Sequence, residues 1–229
     1  MVHATVEAGA PDRVGNAPGR TATRNRMGAI ALAAAGAMFV LYPAIRPWHD
    51  ESTVSGATAS MSSPAWVAAH FFAMLGFILV PLGLLAVRDA LAGTRAASLA
   101  LTATIVTWVG AGLTLPYYGA EDFGLHAMAS KHAGNLLELI NAVRFQPLAA
   151  TLFATGLLLL GIGAVIAAVA VWRSGVLPRH GGIVFAIGLA LFLPQFYLPP
   201  AARIAHGVLT GIGLTLLAVH LWRARTSAA

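Results

Sequence analysis

The sequence predicts an all-α fold: a polytopic transmembrane helical bundle of six spanning helices, plus a short outer amphipathic helix. Three observations predict it. Charged residues make up only 10% of the 229 positions, against about 25% in soluble domains, so the chain cannot cover its own surface for water. Apolar residues make up 58% and gather in six runs close to the ~20 residues that a crossing needs. The arginines lie between these runs with a marked asymmetry.

Taken in order, residues 1–27 are rich in Gly, Pro, Thr and Arg and show no apolar period, so they read as a disordered cytoplasmic tail. Residues 28–225 form the transmembrane domain. Its runs are about Met27–Ile45, Pro64–Val87, Ala96–Tyr118, Pro147–Trp172, Gly181–Leu198 and Ala201–Trp222. The first run could pass for a signal peptide. The nearest Ala-x-Ala pattern, Ala57-Thr58-Ala59, lies well beyond it, so an uncleaved helix is the expectation.

Arginine placement sets the expected orientation. In a six-span reading one side holds Arg13, Arg20, Arg24, Arg26, Arg88, Arg95, Arg173, Arg179, Arg223 and Arg225. The other holds Arg46, Lys131, Arg144 and Arg203, a ratio of ten to four. The richer side should be cytoplasmic and should carry both termini, in a plasma-membrane protein. Tyr42, Tyr117, Tyr118 and Tyr197 all fall at the opposite, outer ends of runs, where amphipathic rings collect. Only Trp108 sits in mid-span.

The same outer ends carry prolines, in Leu41-Tyr42-Pro43, Leu115-Pro116-Tyr117-Tyr118 and Leu193-Pro194-Gln195-Phe196-Tyr197. Proline removes a donor and ends or kinks a helix. Simple termination is expected; the alternative is an irregular mouth whose freed carbonyls are met by protein or water. Spans two and three resemble spans four and five as hairpins ending in Leu-Pro plus aromatics, a weak sign of a repeat. Gly156 with Ala149, and Thr155 with Thr151, read as packing positions for close helices.

Gly119–Gln146 is the one sizeable connection between runs. In its second half Leu136, Ile140 and Val143 fall on one helical face and Lys131, Asn135 and Glu138 on another. A helix capping the bundle is expected there.

Chemistry in such a chain must come from its few polar groups. No cysteine is present, which excludes disulfides and thiolate sites. The net charge is +6, but the basic residues form no patch, so nucleic acid is not a partner. The bilayer is, and a homo- or hetero-oligomer is compatible with the pattern. No Gly-x-Ser-x-Gly turn, HExxH pair or phosphate loop occurs. Ionisable groups inside a membrane are costly and carry a default functional hypothesis. His70 and His206 each lie about one and a half turns into a span of the same direction, so their depths should match. Arg203, His206, Thr210 and Gly213 share one stripe that should face inward.

Glu121, Asp122 and His126 add two acids and an imidazole from the outer connection. His70, Glu121, Asp122, His126 and His206 are therefore the candidate metal ligands. His70 and His206 are the candidate haem ligands. Arg203 completes a polar cluster in which Glu121 or Asp122 should neutralise it. The function read from this is a non-enzymatic multi-pass membrane protein, the alternative being a metal- or haem-binding enzyme or redox protein that uses the outer cluster. The cofactor and any catalytic residue stay open.

Overall fold

A computed structural model of the chain describes residues 18–224, with side chains from Ala22 onward. The described residues are helical and include no strand. The long helices are α1 (Pro18–Ile45), α3 (Pro64–Ala90), α4 (Ala97–Gly119), α7 (Pro147–Ser174) and α9 (Pro200–Arg223). The short ones are α2 (Val54–Met61), α5 (Leu125–Ser130), α6 (Leu136–Arg144) and α8 (Arg179–Ala190). A π turn at Ala120–Gly124 joins α4 to α5, and a 3-10 turn at Pro194–Tyr197 leads into α9.

Five helices are long and apolar enough to cross a membrane. The sixth expected span is different. Its helix α8 has only 12 residues, about 18 Å, and stops at Ala190 ahead of Pro194. The reason is the proline, which has no N–H to continue the ladder. The third span differs in the other sense. The long connection was expected to begin at Gly119, yet the helical path runs from Ala97 to Ser130 through the π turn. The two members of the suggested hairpin repeat therefore end quite differently.

The helices form a closed ring. α1 packs on α3, α3 on α4, α4 on α7, α7 on α8, α8 on α9, and α9 back on α1. The ring's interior is closed by Phe39, Phe77 and Phe192, whose ring centroids lie 5.1–5.4 Å apart. Its outer surface is apolar too. Ile78, Leu82, Ile105, Trp108, Ile162, Ile187 and Ile212 are all exposed. A contiguous exposed apolar belt of this kind suits lipid and not water. The protein is thus an all-helical bundle of the multi-pass membrane type.

Close approach depends on small residues, as membrane helices require. A Cβ on Gly110 would fall 2.7 Å from the Gly156 carbonyl oxygen, and one on Gly213 would fall 2.5 Å from the Phe185 nitrogen. Gly156 is thus a packing position as expected. Thr155 and Thr151 are exposed and are not, because their face of α7 turns away from α4.

One end of the ring carries a cap. α2, α5, α6 and the π turn pack together over Trp66, with Met61, Leu125, Leu136 and Ile140 buried among them. The face of α6 expected to be apolar is the buried one, and Lys131, Asn135 and Glu138 are exposed. At the other end, the start of α1 meets the end of α9. Arg26 lies over the Trp222 ring at 5.5 Å, and Arg24 pairs with Asp89 at 2.5 Å. These contacts fix residues that the sequence reading had given to the tail: α1 already begins at Pro18. Residues 1–17 of that expected tail lie outside the described residues.

Candidate functional site

Beneath the cap, a cavity of about 490 Å³ opens between the ends of α1, α3, α4, α7 and α9. Its existence follows from the irregular segments just described. α1 ends at Ile45 soon after Pro43, α4 loosens into a π turn, and α8 gives way to a 3-10 turn. These interruptions leave a space between the helix ends that side chains line. Of the three proline motifs, two end helices nearby and Pro116 does not, so the mouth is shaped as well as terminated.

Ionic contacts organise one wall. Glu121 on the π turn accepts two hydrogen bonds from Arg144, from Nε at 2.6 Å and from a terminal nitrogen at 3.0 Å. Glu51 joins Arg144 at 2.9 Å to Arg46 at 2.6 Å. Burial alone would weaken the Arg144 guanidinium's hold on its proton. Glu121 and then Glu51 outweigh that loss and raise its pKa above the ordinary value. The fork-to-fork geometry with Glu121 is the strong form of this pair.

The opposite wall holds Arg203. It was expected to find Glu121 or Asp122, but Glu121 is taken by Arg144. Instead, Arg203 donates from Nε to Gln195 Oε1 at 3.0 Å. Its guanidinium lies over the Trp48 ring at 4.8 Å and the Phe196 ring at 5.0 Å. Trp48 stacks a second guanidinium, that of Arg46, at 4.5 Å, and donates from Nε1 to the Pro43 carbonyl. Among the described residues Arg203 has no ion pair with a carboxylate. The cavity thus carries three arginines against two glutamates.

His70 closes the floor. It is buried, and its Nδ1 donates to the Trp66 carbonyl at 2.8 Å. That bond fixes the tautomer, leaving Nε2 as an acceptor. The imidazole is ringed by Tyr42, Trp66 and Tyr118, at centroid separations of 4.3–5.9 Å. Tyr117 stacks on Phe153 at 4.1 Å and donates to the Arg144 carbonyl. Arg46 Nε and Gln195 Nε2 are buried donors without a hydrogen-bond partner.

The candidate residues therefore divide. His70, Glu121 and Arg203 share the cavity. His206 is buried on the inward stripe with Thr210, as its spacing implied, and its Nε2 donates to the Gly188 carbonyl at 2.8 Å. It packs against Phe192, and the path of touching rings from there to His70 runs through Phe77 and Tyr118. No direct ring contact joins the two histidines. His126 donates from Nδ1 to the Met61 carbonyl at 2.7 Å, inside the cap. Asp122 is fully buried, and neither carboxyl oxygen has a hydrogen-bond partner. Among the described residues no three His, Asp or Glu side chains come together as a metal-ligand group.

Sequence reasoning missed Arg46, Glu51 and the aromatic floor. Arg46 and Glu51 stand five apart on either side of Pro47-Trp48, a spacing that a tight turn can close. Tyr42, Tyr117 and Tyr118 had been assigned to the membrane interface, yet Tyr42 and Tyr118 are buried inward. No family model, no curated protein and no solved structure matches the chain.

Proposed function

We propose that this is a six-span plasma-membrane protein with cytoplasmic termini, and that its cavity is a non-enzymatic binding site for a small organic anion on the outer side. The observation that carries the binding reading is Arg203. A guanidinium held in place by Gln195 and two aromatic rings, with no carboxylate partner among the described residues, faces a cavity of ligand size. Planar guanidinium suits carboxylate or phosphate oxygens better than lysine would. The aromatic walls suit an apolar body. His70 Nε2 is a neutral acceptor beside the paired carboxylates, so a ligand hydroxyl or amide would be oriented there.

Six crossings are supported by the geometry of α8 and the chain after it. α8 begins beside His220, at the end where α9 finishes, and the 3-10 turn ends with Phe196 against Phe153, near the start of α7. Helix and turn together run from that end toward the start of α7. The ten-to-four ratio of basic residues supports the orientation.

Titration of the purified full chain in nanodiscs with benzoate and butanoate tests the binding reading. Arg203→Gln should weaken binding by about tenfold or more, the value of a charge-assisted hydrogen bond. Equal affinity in the variant would remove the reading. Reporter fusions at the C-terminus and at Ser130 should report opposite compartments; agreement between them would overturn six spans.

A further inference from the structure

The cavity is not enclosed by the ring alone; one side is closed by rings and not by packed backbone. Along most of their length α7 and α8 touch closely. A Cβ on Gly182 would lie 3.2 Å from Ala168 Cα, and one on Gly161 would lie 3.0 Å from Ala190 Cα. Ala190 is where α8 stops. Beyond it, the first turns of α7 face the 3-10 turn, and the contact described between them is the Phe153–Phe196 ring pair at 5.6 Å. Ala150 and Ala154, both small, line the cavity on this side. The flanking residues are apolar and outward: Phe145 is 71% exposed, Leu148 63% and Tyr197 85%. In a membrane that rim meets lipid.

We infer that the cavity takes a single-tailed anionic amphiphile that slides in sideways from the bilayer, between α7 and the 3-10 turn, with its head on Arg203 and its tail along Ala150, Phe153 and Ala154. The inference rests on the anion-binding reading above and deepens it. A ligand arriving from water would need no apolar seam. A ligand with an alkyl tail needs one, because its tail would otherwise be drawn through the cap's ion pairs. A head of either carboxylate or phosphate chemistry satisfies Arg203.

The test compares butanoate, dodecanoate and dodecyl phosphate on the full chain in nanodiscs, against nanodiscs without protein. Dodecanoate should bind at least about tenfold tighter than butanoate, since buried methylenes add affinity. Ala154→Trp, which fills the seam, should cut that ratio by about tenfold or more, whereas Arg203→Gln should weaken all three ligands. Binding of dodecyl phosphate also supports the inference, and its affinity relative to dodecanoate identifies the preferred head.

Because the chain has no cysteine, Ala154→Cys gives a single thiol that can be alkylated after folding, should the tryptophan variant not fold. Dodecanoate should protect that thiol from N-ethylmaleimide, and alkylation should lower the ratio as tryptophan does. If butanoate binds as tightly as dodecanoate, or filling the seam leaves the ratio unchanged, the sideways amphiphile falls and anion binding stands. If no anion binds the unmodified chain, both fall.

Discussion

The two ends of the bundle solve the same problem differently. At the end opposite the cap, helices meet through glycine and alanine, and the ion pairs lie outside the packing. Arg24, 57% exposed, and Arg88, 44% exposed, share Asp89 there. At the cap end the helices give way to turns and the charges move inside. Arg46, Glu51, Arg144 and Glu121 form a continuous chain of pairs. The difference teaches that interruption of the helices, and not the number of charges, makes the site. A buried charge is tolerated where partners meet it, and the cap supplies them to Arg46 and Arg144.

Substitutions can break this contrast, the largest expected effect coming from the close-packed half. Gly213→Leu places a side chain where a Cβ alone would be 2.5 Å from the Phe185 nitrogen. Backbone must move, so the loss should reach or exceed the ~1–3 kcal/mol of ordinary overpacking. Thermal unfolding in detergent would read it, and an unchanged midpoint would mean that α8 and α9 are less closely packed than described. Next comes Glu121→Gln, which leaves Arg144 with Glu51 alone. Removing one partner of a fully buried pair costs ~3–5 kcal/mol. The surviving Glu51 and the 21% exposure of Arg144 should reduce this to about 2 kcal/mol. Proteolysis within residues 120–146 should quicken in parallel, since the pair ties the π turn to α6.

The smallest effect is expected from Asp89→Asn. Its partners are largely solvated, and exposed pairs are worth ~0–1 kcal/mol. If the melting temperature falls as far as for Glu121→Gln, the two ends do not differ in the way argued. If it hardly moves while Glu121→Gln is costly, the contrast is sharpened.

Much of the fold was legible because a span announces itself by length and apolarity. Runs two, four and six match α3, α7 and α9 to within a few residues. Hydropathy could not tell α-helix from the turn and 3-10 segment that continue the fifth run, and so overlooked what Pro194 does to α8. It also underestimated α4, because Glu121 and Asp122 look like a loop when read one residue at a time. In the site, His70 and Arg203 stood out as ionisable groups within apolar runs. Their partners did not. Sequence spacing alone does not say whether Glu121 pairs with Arg203 or with Arg144. Only the packing of α6 on the π turn decides between them, and that packing is set by Leu136 and Ile140 against a cap drawn from two separate connections.

The closure of the ring by its first and last helices has a consequence for biosynthesis. Arg46 and Trp48 follow directly on α1, whereas Arg203 belongs to α9, and the Trp48 ring brings the two arginines together. A ribosome finishes the first of these elements long before it begins the last. Until α9 leaves the translocon, α1 has no second neighbour and the indole of Trp48 has only one guanidinium to stack upon. A chain released early would therefore keep its cap pairs yet lack one whole wall of the cavity, so that ligand capture becomes a property of the completed polypeptide alone.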